Sequence, residues 1–357
     1  MTKPLKEMQR FGHEQVVFIQ DPKTGLRGII AIHSTVLGPA LGGTRMYPYA
    51  SEDDALRDVL ELSRGMTYKA AAAGLNLGGG KAVIIGDPRT DKSESLLRAF
   101  GRFVNRLNGL FYTGEDVGTD VRDLETVAKE TAYVGGLARE HGGGGDPSPV
   151  TAYGVFQGMK ACAAERWGSA SARGRRVAVQ GLGKVGWDLA RRLQKAGATV
   201  IGCDIDPARA EAARERLQIA TVDPDDIYGV AADIFSPCAL GGAISERTLP
   251  RLHVEIIAGS ANNQILSATV AEEVFRRGIL YAPDYVINAG GLVNVYVEME
   301  GYDEKRALRL TRQISGRLRN VFALSRELNV RTTVAADRIA EERLGALTIS
   351  RAGTKAA

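Results

Sequence analysis

The stretch RVAVQGLGKVGWDLARRLQKAGATVIGCD, residues 176–204, decides the fold of the chain around it. An apolar run at 177–179 is followed by glycines at 181, 183 and 186, then by a helical pattern from Trp187 and a second apolar run that ends at Asp204. Glycines with this G-x-G-x-x-G spacing between a strand and a helix, followed by an acid about 20 residues further on, are typical of a dinucleotide-binding βαβ unit. The pattern therefore predicts a Rossmann-type parallel sheet.

Each part of this glycine loop has a predicted role. Gly181 would form the tight turn, Gly183 would let a pyrophosphate approach the backbone, and Gly186 would pack the helix on the strand. The start of the helix would offer partial positive charge to the phosphates. Asp204 would bind the ribose 2′-hydroxyl and repel a 2′-phosphate, which favours NAD over NADP. The alternative is a glycine turn without a ligand. The predicted cofactor-binding residues of this unit are Gly181, Leu182, Gly183, Lys184, Val185, Gly186 and Asp204.

Three more short apolar runs follow, and each precedes a loop that contains glycine or asparagine. In a parallel sheet such loops lie at the carboxyl ends of the strands, where open α/β folds bind ligands. Asn262 and Asn263 are either turn formers or amides that recognise an amide or a carboxylate. The runs are 233–236, 256–258 and 279–281, and the loops are 237–242, 259–263 and 288–291.

A second stretch, RGMTYKAAAAGLNLGGGKAVIIGDP at 64–88, carries Lys69 and Lys81 among small and apolar residues. A helical piece at 66–73, a glycine turn and a buried strand would bring the two amines back towards one place. Burial and a neighbouring ammonium both disfavour a charged lysine, which can then act as a base near neutral pH. The alternatives are solvated surface lysines and a P-loop. The P-loop fails because its pattern needs glycine at Leu75 and serine or threonine at Ala82.

Strands alternate with helices on both sides of a glycine-rich linker at 135–149, which predicts two α/β domains. The predicted elements before the linker are strands at 15–20, 28–37 and 110–113 and helices at 51–64, 93–108 and 120–129, with the segment 38–43 breaking the pattern. Helices at 304–328 and 333–349 are predicted to end the chain.

The overall composition excludes several classes of protein. The 357 residues, 44% of them hydrophobic, are enough for two cores, and the net charge of +4 is mild. The densest basic spot precedes a strand and indicates a solvated turn rather than a nucleic-acid site. Three distant cysteines predict a reducing compartment, and four histidines show no ligand spacing, so no metal site is expected. Without a signal peptide or an apolar run of about 18 residues, a cytoplasmic location is expected.

Several long motifs resemble the glutamate/leucine/phenylalanine/valine dehydrogenase family, and most closely its leucine-specific members, over nearly the whole chain. The resemblance implies reversible, NAD-dependent oxidative deamination of an L-amino acid to a 2-oxo acid and ammonia. The matching motifs are GPALGGTRM at 38–46, GMTYKAAAAGLNLGGGKAVIIGDP at 65–88, GEDVGT at 114–119, GDPSPVTAYGV at 145–155, IFSPCALGG at 234–242, IAGSANNQ at 257–264 and YAPDYVINAGG at 281–291.

The resemblance also implies roles for single residues. Lys81 matches the catalytic lysine, and Asp116 matches the acid that exchanges a proton with the substrate nitrogen. Lys69 matches the lysine that pairs with the substrate carboxylate. Asn262 matches an amide on the substrate side, and Thr151 matches a contact to the nicotinamide amide. Ala239 and Asn262 are further expected cofactor contacts.

The resemblance implies a domain plan and an assembly. Residues 1–147 would form a substrate-binding and oligomerisation domain, and 148–329 would form the NAD-binding Rossmann domain across a cleft. A C-terminal helix at about 330–357 would pack back on the first domain. A homo-oligomer is expected, with an octamer as the first choice. The expected partners are small molecules, with neither nucleic acid nor a membrane among them.

Substrate choice depends on fewer residues. In glutamate-specific relatives, a lysine that binds the side-chain carboxylate occupies the position of Leu41, so the substrate tail here should be apolar. Leucine and other branched-chain amino acids are the first expectation. The sequence departs from the leucine pattern at Gly114 and Gly135, where the match suggests alanine and threonine. The extra room makes phenylalanine or tryptophan the alternative, unless both glycines serve only the backbone. The predicted substrate-binding residues are Lys69, Leu41, Gly42, Met66, Gly114, Gly135, Asn262, Leu292 and Val295.

Two functions from other classes stay open at this stage. A catalytically silent NAD(H)-binding sensor would be expected to have lost Lys69, Lys81 or Asp116, all of which are present. A 2-oxo-acid reductase without ammonia chemistry would share the nucleotide unit but would not need ammonium for turnover.

Overall fold

The computed structural model describes residues 3–354, with side chains as far as residue 346, and the chain divides into two units. The first comprises the chain up to Asp146, Asn294–Asp303 and the chain from Ala340 onward. The second comprises Pro147–Val293 and Glu304–Ile339. Each unit has its own sheet with helices packed on it, so the α/β class predicted from the sequence is confirmed. Within the described chain, every helix is too short or too polar to span a lipid bilayer.

The first unit is built on a five-stranded mixed sheet in the order β1-β2-β4-β3-β5. Strands β3, β4 and β5 run parallel, whereas β1 and β2 are antiparallel to their neighbours. The elements are α1 (Pro4–Phe11), β1 (Gln15–Asp21), β2 (Leu26–Ser34), β3 (Ala40–Tyr47), α2 (Glu52–Ala72), β4 (Gly78–Ile85), α3 (Glu94–Arg106), β5 (Phe111–Glu115) and α4 (Val121–Ala128).

Alternation along β2 fills a core on each face of this sheet. Ile30 points towards α3 and packs in the same core as Phe100, while Ile29 points towards α2 and packs with Leu56. Successive side chains of a strand point to opposite faces, so a central strand buried on both faces is apolar throughout. Strand β4 is also buried along nearly its whole length, and one of its buried residues is the charged-type residue Lys81.

The prediction that 38–43 breaks the strand pattern holds for Gly38 and Pro39 but is wrong from Ala40 onward, where β3 begins. A Cβ at Gly42 would lie 1.7 Å from the carbonyl oxygen of Gly80 on β4. The glycines are therefore needed inside the strand, where two backbones approach too closely for any side chain. From the sequence alone, the same glycines suggest a loop.

Helix α2 is also longer than predicted. The cap is as expected, since the side chain of Ser51 accepts a hydrogen bond from the Asp54 N–H at 3.1 Å. The helix does not end near Arg64 but continues through Gly65 to Ala72, so the predicted separate piece at 66–73 is its last part. A glycine inside a helix costs only about 1 kcal/mol, and the buried apolar face of α2 on the sheet outweighs that cost.

The second unit is built on a six-stranded, fully parallel sheet in the order β11-β10-β9-β6-β7-β8. The strand order reverses between β6 and β9, which is the arrangement of a dinucleotide-binding Rossmann sheet, as predicted. The elements from here to the end of the chain are α5 (Ser148–Trp167), β6 (Arg176–Gln180), α6 (Lys184–Lys195), β7 (Thr199–Cys203), α7 (Pro207–Ala212), β8 (Ala220–Thr221), β9 (Ile234–Pro237), β10 (Ile256–Ile257), α8 (Ala268–Arg276), β11 (Leu280–Tyr281), α9 (Asp284–Ile287), α10 (Gly290–Glu298), α11 (Glu304–Arg312), α12 (Ile314–Leu328) and α13 (Thr332–Thr354). The part of α10 from Asn294 and the part of α13 from Ala340 belong to the first unit.

Two features of the C-terminal helices differ from or add to the prediction. The predicted single helix at 304–328 is two helices, α11 and α12, because the N–H of Gln313 bonds back only three residues, to the Leu310 carbonyl. In α13, Arg343 donates to the carbonyls of Ala71 and Leu75 at 3.1 and 2.8 Å. A basic side chain on the carbonyls at a helix C-terminus is a favourable cap, and it fixes the turn between α2 and β4.

Candidate active site

Lys81 lies near the middle of β4, opposite Ala31 of β2, and its side chain is only 8% exposed. Its Nζ is 2.9 Å from Oδ2 of Asp116, which follows β5. The structure thus brings together the predicted catalytic lysine and the predicted proton-exchanging acid. They are 35 positions apart in the sequence, and the parallel sheet order β4-β3-β5 joins them.

Local geometry at the end of β5 fixes Asp116. Its N–H donates to Oγ1 of Thr119 at 3.0 Å, and that hydroxyl donates to the Thr44 carbonyl of β3. Gly118 has φ +82°, and a Cβ there would lie 2.0 Å from the Met46 carbonyl oxygen. The motif GEDVGT therefore forms a turn held against β3, and this turn aims the carboxylate at Lys81.

A second cation binds the same carboxylate oxygen. Arg45 of β3 donates from Nε to Asp116 Oδ2 at 2.9 Å, and from Nη1 to both oxygens of Asp58 at 3.2 and 3.0 Å. Tyr49 donates its hydroxyl hydrogen to Asp58. Arg45 belongs to the motif GPALGGTRM at 38–46, but the sequence patterns assign no role to it. They assign none to Asp58 either. The only sequence signal for Asp58 is an acid beside the apolar positions of α2.

Burial and these charges move the pKa values of the cluster. Burial lowers the pKa of Lys81 from its ordinary value; Asp116 and Asp58 oppose this effect, and Arg45 adds to it. Burial alone would raise the pKa of Asp116, but Lys81 and Arg45 hold it below its usual range. The result is a lysine that loses its proton more readily than a solvated one, beside an acid that is ionised.

Lys69 lies in the last turn of α2 and is half-buried. The sequence predicts that its ammonium lowers the pKa of Lys81. Among the largest effects on the pKa of Lys81, the positive charge is instead that of Arg45. Burial and Arg45 of β3 therefore lower the pKa of Lys81. The spacing of the two lysines in the sequence could not reveal the part of Arg45.

The predicted substrate-pocket residues of the first unit come from five segments. Leu41 lies on β3 between Gly79 of β4 and Tyr112 of β5, and it is buried. Met66 lies on α2, one turn before Lys69. Gly114 of β5 pairs with Gly43 of β3, next to Gly42. A Cβ at Gly114 would lie 3.4 Å from the carbonyl oxygen of Gly135, whereas a Cβ at Gly135 would lie 2.4 Å from Cγ1 of Val295.

A carboxylate that the sequence analysis missed fixes the loop of Gly135. Glu298 accepts hydrogen bonds from the N–H groups of Gly136, Leu137 and Gly144, each at about 3 Å. Gly136 has φ +86°, in the left-handed region that glycine adopts most easily. Hydrogen bonds to the single carboxylate of Glu298 thus fix the first part of the glycine-rich segment that was predicted as a linker.

In the second unit, the glycine loop has the geometry of a phosphate-binding turn. Gly181 has φ +94°, and a Cβ at Gly186 would lie 1.9 Å from the Gly181 carbonyl oxygen. At Gly183 the nearest atom to an added Cβ is 3.8 Å away, so the space above this residue is open. Helix α6 begins directly after it, at Lys184, with Val185 in its first turn.

Asp204 and Ala239 border this loop. Asp204 is buried at the end of β7, and its Oδ2 accepts the N–H of Leu182 at 2.7 Å. Its Oδ1 lies 4.0 Å from Nη1 of Arg209. The backbone N of Ala239 would lie 2.9 Å from a Cβ at Gly181, so the loop after β9 touches the glycine turn. The topology brings these segments to the carboxyl ends of β6, β7 and β9.

Three other predicted residues also belong to this unit. Thr151 lies in the first turns of α5, where its hydroxyl donates to the Pro147 carbonyl at 3.0 Å. Asn262 is exposed after β10, and its Oδ1 accepts from Nδ2 of Asn288 at 2.7 Å. Leu292 is buried in α10.

Two described protein families match the sequence of this chain. Residues 13–133 match the family described as Glu/Leu/Phe/Val dehydrogenase, dimerisation domain. Residues 142–207 and 208–349 match Glutamate/Leucine/Phenylalanine/Valine dehydrogenase. The chain belongs to the Glu/Leu/Phe/Val dehydrogenase family. The predicted family resemblance is therefore confirmed.

Relatives within the Glu/Leu/Phe/Val dehydrogenase family differ in the amino acid that they are named for. A leucine dehydrogenase of Geobacillus stearothermophilus is 55% identical over 95% of this chain and 92% of its own. A phenylalanine dehydrogenase of Caldalkalibacillus thermarum (strain TA2.A1) is 50% identical over 93% and 91%. The crystal structure of L-tryptophan dehydrogenase from Nostoc punctiforme has a TM-score of 0.87 and 46% identity, and it covers 96% of this chain and 99% of that one.

The residues of the second unit fit the dinucleotide of a Glu/Leu/Phe/Val dehydrogenase. The open space at Gly183 and the start of α6 suit a pyrophosphate, and the Asp204 carboxylate suits a ribose hydroxyl. Oδ1 of Asn288 is buried without a hydrogen-bond partner in the described chain, so a polar group of a ligand can still bind it. Among residues 3–354, no group of three or more His, Cys, Asp and Glu could hold a metal ion.

Proposed function

We propose that this member of the family catalyses the reversible, NAD-dependent oxidative deamination of an apolar L-amino acid to the 2-oxo acid and ammonia. The observation that carries the proposal is the buried Lys81 amine, 2.9 Å from the carboxylate of Asp116. A base and an acid in contact are what the proton transfers of this reaction need, since water must be deprotonated and the departing amine protonated.

Lys69 is proposed to hold the substrate carboxylate as a point charge. A fixed carboxylate orients the Cα–H bond, and orientation of the reacting atoms supplies a large part of enzymatic rate enhancement. When bound, NAD⁺ would supply the acceptor for the hydride from Cα. Asn262 is proposed to contact the substrate, and Thr151 the amide of the cofactor.

Lys81 and Asp116 then share the proton transfers. Neutral Lys81 takes a proton from the water that attacks the iminium carbon, and Asp116 exchanges a proton with the nitrogen, which leaves as ammonia. The lowered pKa of Lys81 supports the first role, because a base is most effective when its pKa lies near the working pH.

NAD is proposed as the cofactor in preference to NADP. Asp204 already accepts two backbone N–H bonds, from Leu182 and Asp206, and so its carboxylate is fixed at the end of β7. A fixed buried negative charge would repel a 2′-phosphate, although Arg209 at 4.0 Å offsets part of it. We expect NAD⁺ to support faster turnover than NADP⁺.

The proposed substrates are leucine and other branched-chain amino acids. The buried Leu41 offers no charge to a second carboxylate, and the leucine dehydrogenase of Geobacillus stearothermophilus is similar over nearly the whole chain. The alternative is an aromatic amino acid, favoured by the missing side chains at Gly114 and Gly135 and by the similarity to phenylalanine and L-tryptophan dehydrogenases.

Initial rates of NADH formation with a panel of L-amino acids test this proposal. We expect oxidation of leucine, valine and isoleucine with NAD⁺, and reduction of the 2-oxo acids only when ammonium is present. NADH binding without oxidation of any amino acid would instead indicate a non-catalytic NAD(H) sensor. Reduction of a 2-oxo acid without ammonium would indicate a reductase of a different type.

Gly114→Ala is expected to lower the ratio of kcat/KM for phenylalanine to that for leucine by about tenfold or more, because one methyl group in an apolar pocket is worth about 1–3 kcal/mol. The new Cβ makes an ordinary contact, 3.4 Å from Gly135 O, so the fold is retained. Gly316→Ala in α12 is the control, since its Cβ would be 3.9 Å from the nearest side-chain atom. An unchanged ratio in Gly114→Ala would exclude this glycine from the pocket wall.

We also propose a homo-oligomer, because the matched N-terminal family is described as a dimerisation domain. An octamer is the first choice among the possible assemblies. Light scattering of the purified protein measures the subunit number directly. A cytoplasmic location is proposed as well, and the three free cysteines, Cys162, Cys203 and Cys238, agree with it.

A further inference from the structure

We propose that Arg45, held by Asp58, is a positioning residue that sets the pH at which Lys81 becomes a base, by sharing a single oxygen of Asp116 with it. This inference rests on the proposed function, because it assigns a second pair of residues to the same proton-transfer site. Neither Arg45 nor Asp58 is expected to touch the substrate.

The geometry is a chain of charges with alternating sign. Lys81 Nζ and Arg45 Nε each lie 2.9 Å from Asp116 Oδ2, and therefore the two nitrogens are no more than about 6 Å apart. Arg45 then reaches Asp58 with Nη1, and Tyr49 donates to the far side of Asp58. Arg45, Asp58 and Asp116 are each about a quarter exposed, so solvent screens these charges only in part.

This arrangement solves a problem that a simple Lys81–Asp116 pair would have. A buried ammonium with a carboxylate as its only neighbour is strongly stabilised, and such a lysine keeps its proton. Because Arg45 stays charged and already neutralises Asp116, Lys81 can lose its proton without leaving the Asp116 carboxylate unpaired. Asp58 in turn keeps Arg45 from being an unpaired cation when Lys81 is protonated.

The sign of each charge gives opposite predictions for two substitutions. Removal of the positive charge of Arg45 should raise the pKa of Lys81, since a repelling neighbour is lost. Removal of the negative charge of Asp58 should lower it, since an attracting neighbour is lost. The groups that bear on Lys81 are Asp116 from the turn after β5, Arg45 from β3 and Asp58 from α2, with Tyr49 bonded to Asp58.

Other charged groups lie on these elements: Glu115 on β5, and on α2 Lys69, Glu52, Asp53, Asp54, Arg57, Glu61 and Arg64. They are unchanged in every variant, so their influence cancels in the comparison. A role confined to folding would lower activity in both variants without moving the pH dependence in opposite directions.

The experiment is the pH dependence of kcat/KM for the best amino-acid substrate, with NAD⁺ saturating, in the full-length enzyme. In Arg45→Gln the acidic limb should move to higher pH by about 1 unit or more, as expected for loss of a charge within about 6 Å. In Asp58→Asn the limb should move to lower pH, by a smaller amount. Arg45→Lys keeps the charge but cannot bridge both carboxylates, so its limb should stay near that of the wild type while kcat falls.

Arg89→Gln is the matched control. It removes the same charge from an Arg–Asp pair of the same unit, at a side chain that is 85% exposed, and should leave the limb in place. Limbs that do not move, or that move in the same direction in Arg45→Gln and Asp58→Asn, would overturn the inference even if the wild type is active. A wild type that oxidises no amino acid would instead overturn the proposed function.

Discussion

Lys81→Ala is expected to lower kcat/KM for oxidation of the best amino-acid substrate by about 10³-fold or more, while NADH still binds. A positioned general base contributes about 10²–10⁴-fold, and Lys81 is the amine that the structure places 2.9 Å from the Asp116 carboxylate. The variant should fold, because Asp116 keeps its hydrogen bond to Arg45. The substitution also removes the Lys81 ammonium, whose burial costs desolvation free energy.

Two measurements separate loss of chemistry from loss of structure. Initial rates of NADH formation give kcat/KM, and a fluorescence titration with NADH gives the dissociation constant, which should stay near the wild-type value because the glycine loop lies in the other unit. Lys129→Ala is the control, since Lys129 is an exposed lysine of the same unit paired with Glu94. Turnover near the wild-type rate in Lys81→Ala would mean that another group is the base.

Sequence reasoning succeeded where a function depends on residues close together in the chain. The glycines of 181–186 and the acid at Asp204 occupy one βαβ unit, and so their spacing predicted the parallel sheet that the structure has. Lys81 and Asp116 are far apart in sequence; the small and apolar residues around Lys81 indicated a buried base, whereas only the motif resemblance identified Asp116. The structure adds the contact between them.

Sequence reasoning failed where the local sequence suggests one structure and contacts with distant parts of the chain impose another. Gly42 and Gly43 suggest a loop, yet they lie inside β3. The backbones of the neighbouring strands come so close to them that no side chain would fit there. Arg45 and Asp58 are 13 positions apart on a strand and a helix, and no pattern in the sequence links them. Both errors concern contacts between elements, which local propensity does not encode.

A close contact between β4 and α2 holds that helix on the sheet. Gly79→Ala is expected to lower the free energy of unfolding of the first unit by about 3 kcal/mol or more, since overpacking a dense core costs about 1–3 kcal/mol and more where backbone must move. The new Cβ would lie 2.1 Å from the backbone N of Thr67 and 2.2 Å from its Oγ1. Thr67 is fully buried and bonded to His33, so α2 cannot withdraw without breaking that hydrogen bond.

Gly65→Ala on the same helix should have the opposite effect. No atom lies within 4 Å of its added Cβ, and alanine in a helix interior is favoured over glycine by about 0.5–1 kcal/mol. Chemical denaturation followed by circular dichroism would give both changes. Because α2 carries Lys69, Gly79→Ala should also raise KM for the amino acid in the fraction that stays folded, whereas Gly65→Ala should not. Equal stability in the two variants would mean that the contact between β4 and α2 is looser than the structure has it.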